Sequence, residues 1–256
     1  QRTADNIFIK LFNANKNLDD ICHELQVHPI EVWYLFSNSQ VVPTKFKEQK
    51  AMEFIADIIK QILMDDYDGI ILHTEQSDKK SLIEQLIKKL HEKEFSTSQV
   101  SSLENMLPKD LQGFINNDFF KRISDHLDMF SYLPKTPFIW HLSSGPEKAF
   151  DCYIIIYKWS RDKLLLIRSV YIENRERSLV NRQSDLSRDD SAKAQNEKET
   201  IYKQLKELEI FKKKIDELLQ EGYDPILDDG VGKNIAPLQA KGMCPYEVLK
   251  QGQLVK

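Results

Sequence analysis

The chain has little of what marks a secreted, membrane-bound or strongly nucleic-acid-attracting protein. Its three cysteines, Cys22, Cys152 and Cys244, are odd in number and scattered, which argues against a disulfide framework and a paired-thiolate zinc site and fits a reducing cytosol. No apolar run of about 18 residues occurs and no signal peptide opens the chain, so neither a membrane span nor secretion is expected. No charge sign dominates: 36 basic residues face 40 acidic ones, the isoelectric point is near 5.9, and any contact with DNA must therefore be local. Catalytic signatures are missing as well. The six histidines have no metal-motif spacing, and there is no Gly-x-Ser-x-Gly elbow, no Gly-x-Gly-x-x-Gly turn and no phosphate loop. The expectation is no catalytic, cofactor-binding or metal-binding residue. The chain begins at Gln1 without methionine, as a piece of something longer would.

What is present is enough apolar residue, 41%, for a real core. The C-terminal third carries two long helical patterns, roughly 162–186 and 196–221. In the second, Ile201, Leu205, Leu208, Phe211, Ile215 and Leu218 recur every three or four positions, the spacing of a narrow apolar seam. Leu164, Ile167 and Tyr171 keep that rhythm in the first, and the polar stretch 184–196 between them suits an exposed tip. The pair reads as an antiparallel arm, protruding or lying on its own domain, since such seams serve both.

Upstream, the patterns predict helices over 5–12, 17–25 with Asn17 as cap, and 29–36 with Pro29 in the first turn. That is a helix-turn-helix outline, but its second helix carries Glu31 and no lysine or arginine, a poor DNA reader. Further helices are predicted over 46–64, 79–94, 100–106 and 111–128, the last with Phe114, Phe119, Phe120, Ile123 and Leu127 on a core-packing face. Asp65, Asp66 and Asp68 crowd a turn before a short strand, 70–72, without the further oxygens of a calcium loop. Residues 138–142 and 150–159, dense in β-branched and aromatic side chains around Ser143-Ser144-Gly145-Pro146, predict a buried hairpin. Gly222 ends the arm, and 223–238, punctuated by Pro and Gly, reads as an extended strap.

Three stretches carry a resemblance. Thr136 to Gly145, with Trp140, Ser143, Ser144 and Gly145, is similar to the Pro-Ile-x-Trp-x-x-Ser-Ser-Gly segment of large adenine-specific DNA methyltransferases: type II restriction-modification methylases and the PglX-type methylases of BREX and DISARM phage defence. Asp162, Leu164, Arg168 and Tyr171 resemble that family's Asp-x-Leu-x-x-x-Arg-x-x-Tyr helix, and Asp68-Gly69-Ile70 a shorter upstream element. Gly222 to Leu238, with Asp228, Asp229, Gly230 and Asn234, is similar to its closing strap.

The resemblance implies a C-terminal region of an N6-adenine methylase that uses S-adenosylmethionine. The family's Asn/Asp-Pro-Pro-Tyr/Phe tetrapeptide and glycine-rich cofactor motif are absent here, so no catalytic or cofactor residue carries over. The eight signature residues just numbered in the hairpin and strap are expected to be structural. The expected fold is mainly helical α+β: a small hairpin sheet, packed helices and a long antiparallel arm, in segments 1–66, 67–136 and 137–256. Phosphate contacts are expected from Lys158, Arg161, Lys163, Arg168, Arg175, Arg177 and Arg182, a stretch with seven basic and three acidic residues; neutralising i to i+4 pairs are the alternative. Partners implied are double-stranded DNA through the parent and a restriction or defence subunit, in the cytoplasm and off the membrane. Competing classes are a protein-docking module using the arm and a helix-turn-helix adaptor.

Overall fold

A computed structural model describes residues 2–14, 21–23, 26, 28–74, 76, 79–119 and 139–245. The chain forms two compact units that interleave in sequence: Gln1–Met64 with Ile83–Phe119, and Asp65–Leu82 with Phe120–Lys256.

The first unit is helical: α1 (Arg2–Ala14), α2 (Pro29–Asn38), α3 (Thr44–Asp65), α4 (Leu82–Glu92), α5 (Thr97–Glu104) and α6 (Leu111–Gly113), which runs into a π-helical turn, Phe114–Phe119. Pro29 opens α2, where its missing N–H costs nothing, and His28 Nδ1 accepts from the Ile30 N–H at 3.4 Å. The helix buries Val32, Trp33 and Phe36, with Phe36 edge-on to Phe8 at 5.2 Å and Trp33 4.9 Å from Phe54. Its exposed residues include Glu31 and Tyr34. Of the helix predicted over 17–25, residues 21–23 are helical, and Asn17, Leu25 and their neighbours lie outside the described residues. The helix predicted over 111–128 is described to Phe119; Phe120, Ile123 and Leu127 lie outside, as do Thr136, Pro137 and Phe138. α4 is shorter than the predicted 79–94 at both ends: Lys79 pairs in a bridge with Gln76, and Glu94 takes φ +68° past the last turn.

The second unit is built on three antiparallel strands, β1 (Ile70–Leu72), β2 (Ile139–Ser143) and β3 (Asp151–Ile155), in the order β1-β3-β2. Leu72 and Leu142 both face Cys152, and Ser143 faces Asp151. Every strand residue is buried, as expected of the hairpin strands, including the polar His141, Ser143 and Asp151. β3 ends at Ile155 in a tight turn, Ile156–Lys158, sooner than the expected 159.

The arm follows: α7 (Arg161–Leu166), capped by the Ser160 side chain, a π-helical turn (Ile167–Tyr171), α8 (Ile172–Asp185) and, returning, α9 (Ala192–Gln220). Ile201, Leu208, Phe211, Ile215 and Leu218 are buried along α9, against Leu164, Ile167, Tyr171 and Leu179 buried on the outgoing half. Part of the arm is seated on the hairpin. Glu207, buried in α9, accepts from Ser144 Oγ at 2.6 Å, the Glu147 N–H at 2.8 Å and the Ala149 N–H at 3.1 Å. A side chain at Gly145 would lie 2.6 Å from Glu207 Oε2, so the turn needs glycine for the carboxylate to close on it.

α9 terminates as expected. Gly222 takes φ +83°, its N–H donates to Leu219 O and the Tyr223 N–H to Leu218 O, the paired pattern of a Schellman end. The strap departs from expectation. Residues Gly230–Ala240 form α10 despite Gly232 and an internal Pro237. Tertiary anchoring outweighs these breakers: Trp159 Nε1 donates to Tyr223 Oη at 2.8 Å and Tyr223 Oη to Asn234 O at 2.5 Å. The Asn234 side chain brackets Ile226, accepting from its N–H at 3.1 Å and donating to its carbonyl at 2.6 Å. The chain then returns to the sheet, where the Ser143 N–H donates to Met243 O at 2.8 Å.

Glu207→Ala leaves three donors, two of them buried, without their acceptor and is expected to cost about 2–4 kcal/mol in urea unfolding. Gly145→Ala is expected to destabilise too, and the double variant by less than the sum, since both act on one contact.

Candidate functional site

Three polar residues enter the interior from different strands. His73, one residue past β1, donates its N–H to Asp151 O at 3.0 Å and so lies opposite the first residue of β3; His141 sits mid-β2 beside Tyr153. The pleat turns His73, His141 and Asp151 to one face of the sheet. They are 4%, 1% and 3% exposed, and one donor atom from each lies within 4.8 Å of the others. His141 Nε2 is 3.4 Å and His73 Nδ1 3.8 Å from Asp151 Oδ2, distances of electrostatic contact rather than of good hydrogen bonds. Tyr153 packs edge-on to both rings, at 4.4 Å and 5.2 Å. Burial lowers the His73 pKa to about 4, so its imidazole is neutral at physiological pH. Burial pushes the Asp151 carboxyl up, but the two histidines outweigh it and hold Asp151 below the usual range. The residue types are ligands for a divalent metal. Sequence reasoning missed them because no spacing joins positions 73, 141 and 151; the available signal was polar residues interrupting buried strands.

A second buried cluster secures the turn before β1. Lys79 Nζ lies 2.8 Å from Asp66 Oδ2 and 2.5 Å from Asp68 Oδ1, Tyr171 Oη donates to Asp68 Oδ2, and Asp66 Oδ1 accepts from the Gly69 N–H at 2.7 Å. The turn's carboxylates thus close on an ammonium. Burial raises the Asp66 carboxyl; at Asp68 it is outweighed by Lys79 and Tyr171, which hold that carboxyl down. Lys158 Nζ donates to Asp66 O, and its Cβ would stand 2.8 Å from any Cβ at Gly69, whose φ is +78°.

The seven cations proposed for phosphate are not gathered on one free surface. Arg168 forks onto Asp216 at 3.0 and 3.2 Å, Arg175 donates to Ala149 O at 3.0 Å, and Arg182 forks onto Glu197 at 2.5 and 3.0 Å. With Lys158 committed to Asp66, four of the seven stitch the unit together. Among the described residues Arg161 and Lys163 form no ion pair, and exposed Arg177 reaches Asn174 at 3.5 Å beside a polar cleft of about 560 Å³ shared with Asn181 and Arg182.

No family model matches the chain. It is 29% identical over 140 residues to the adenine-specific methyltransferase PglX of Lacticaseibacillus casei (strain Zhang), covering 52% of this chain and 11% of that protein. To the adenine-specific methyltransferase BrxX of Escherichia coli O9:H4 (strain HS) it is 25% identical over 131 residues, 48% of this chain and 10% of the relative. The chain is similar to a PglX/BrxX-like methylase region. It spans about a tenth of the length of these curated relatives.

Most of the residues that carry the resemblance occupy junctions of the fold. Trp140 is fully buried with its indole against Cys244, Ser143 and Ser144 are buried in the turn on Glu207, and Asn234 is buried under Ile226. Asp228 and Asp229 are exposed just ahead of α10, where acidic residues suit a helix N-terminus, and Asp229 also pairs with Lys233 at 3.2 Å. Gly230 takes φ +79° at the reversal into that helix. Among the described residues no helix is long and apolar enough to cross a membrane.

Lys79→Met strands two buried carboxylates and is expected to cost about 3–5 kcal/mol at pH 7, measured by chemical denaturation. The loss should shrink at pH 3, where Asp66, whose carboxyl burial has raised, is protonated and needs no counter-charge.

Proposed function

We propose that this chain is a C-terminal, non-catalytic portion of an adenine-specific DNA methyltransferase of a restriction-modification or phage-defence system, and that it supports target recognition or clamps the duplex. The whole protein moves a methyl group from S-adenosylmethionine to N6 of an adenine turned out of the helix, because a stacked adenine keeps that position out of reach. The observation that carries the reading is the 140-residue match to a methyltransferase of which this chain covers only 11%. Packing supports the scaffold role: Ser144, Gly145 and Asn234 serve the seating of the arm and the closure of the strap rather than a reaction centre. Neither the catalytic tetrapeptide nor the cofactor motif is in the sequence, so methyl transfer belongs to other parts of the parent.

Double-stranded DNA is the partner in this reading, met through the parent. The phosphate contacts fall to Arg161, Lys163 and Arg177, the three of the seven that are held by neither a carboxylate nor a backbone carbonyl among the described residues. A restriction or defence subunit docking on the arm is the second reading, favoured by Val180, Tyr202 and Ile210, which are 47%, 64% and 49% exposed there.

Salt separates the two. In the parent protein, alanine at Arg161, Lys163 and Arg177 is expected to weaken duplex binding and flatten the log-affinity against log-salt slope by about 0.9 for each phosphate no longer neutralised. Arg168→Ala should instead lower stability. An unchanged affinity and slope in the triple variant would overturn the clamp, and salt-indifferent capture of a partner subunit would favour the docking reading.

A further inference from the structure

We propose that His73, His141 and Asp151 form a structural binding site for one first-row divalent metal ion, zinc by ligand preference, which ties the three strands of the sheet together. The donor set is two imidazoles and a carboxylate, a combination that suits zinc and its neighbours and neither calcium nor magnesium, which take oxygen alone.

Three observations carry the assignment. The first is convergence: the residues come from beyond β1, from mid-β2 and from the start of β3, yet present donor atoms within 4.8 Å of one another. The second is spacing. Zinc bonds of about 2.0–2.2 Å at the tetrahedral angle hold ligand atoms about 3.3–3.6 Å apart. The 3.4 Å between His141 Nε2 and Asp151 Oδ2 falls in that range, and the 3.8 Å from His73 Nδ1 to the same oxygen reaches it by a shift of a few tenths of an ångström. Direct hydrogen bonds would draw these atoms closer, to about 2.7–3.2 Å.

The third is dissatisfaction. Neither ring nitrogen of His73 and neither carboxylate oxygen of Asp151 has a hydrogen-bond partner among the described residues, though both side chains are more than nine-tenths buried. A carboxylate placed so deep without a hydrogen-bonding partner is costly, and a divalent cation shared with two imidazoles supplies both the charge and the missing bonds. With three protein ligands the fourth position falls to water. Tyr153, edge-on to both imidazoles, walls the site on its own strand.

The test uses the full chain, stripped with EDTA and reloaded with Zn²⁺ or Co²⁺. Expected are about one equivalent of Zn²⁺ retained through gel filtration and a rise in Tm of about 5–10 °C when free Zn²⁺ stands near a hundredfold above Kd. Co²⁺ should give visible d–d absorption that Zn²⁺ bleaches. His73→Gln and Asp151→Asn should each remove the absorption and the Tm shift. Should those variants fail to fold, zinc-edge X-ray absorption on the unaltered chain decides by itself: two imidazole ligands support the site, and any other first shell overturns it. A folded, unaltered chain that neither retains Zn²⁺ nor gains stability from Zn²⁺ or Co²⁺ would also overturn it, leaving the cluster a metal-free electrostatic contact. Binding that survives both substitutions would do the same.

Discussion

A three-stranded sheet buried on both faces imposes the constraint on which the second unit depends: every polar group drawn inside with it needs a partner within the protein. Water is excluded, and an unmet buried donor or acceptor costs about 1–3 kcal/mol. The arm supplies most of the answers. Glu207 reaches from α9 into the hairpin turn and takes three donors on one carboxylate, while Arg175 reaches from α8 to the carbonyl of Ala149 in the same turn. The turn is held from both halves of the arm, which explains why arm and hairpin belong to one body.

The same logic runs through the anchor at the other end. Asp68 could not be buried without Lys79 and the Tyr171 hydroxyl, and Tyr171 is placed by the π-helical turn between α7 and α8. The strap is fastened by a chain of hydrogen bonds, Trp159 to Tyr223 to the carbonyl of Asn234, and Met243 then adds its carbonyl to β2. Stretches that resemble methyltransferase signatures, although they lie as far apart as Asp68 and Asn234, are therefore the places where elements lock to one another. For Ser144, Gly145 and Asn234 the packing gives a physical reason for the residue type.

The cations illustrate how a linear count misleads. Seven basic residues between 158 and 182 read as a local positive excess, but Asp216 and Glu197, contributed by α9, absorb Arg168 and Arg182. Partners on the returning helix are invisible in the outgoing segment. What remains for an external anion is a smaller group, Arg161, Lys163 and Arg177, which narrows rather than removes the phosphate-binding reading.

Elements whose cause lies within a few residues were legible in the sequence alone: the 3.6-residue seam of α9, the apolar hairpin strands, the glycine that closes the helix at 222 and the proline that opens α2. Each follows from spacing or from a single residue's backbone preference. Tertiary structure alone decided the rest. It made α10 a helix across Gly232 and Pro237, because anchoring by Asn234 and Tyr223 exceeds the penalty of the breakers. It also brought His73, His141 and Asp151 to one point, because side-chain proximity in a sheet is set by strand order and register, and those are fixed by what the strands pack against rather than by the distance between them in the chain.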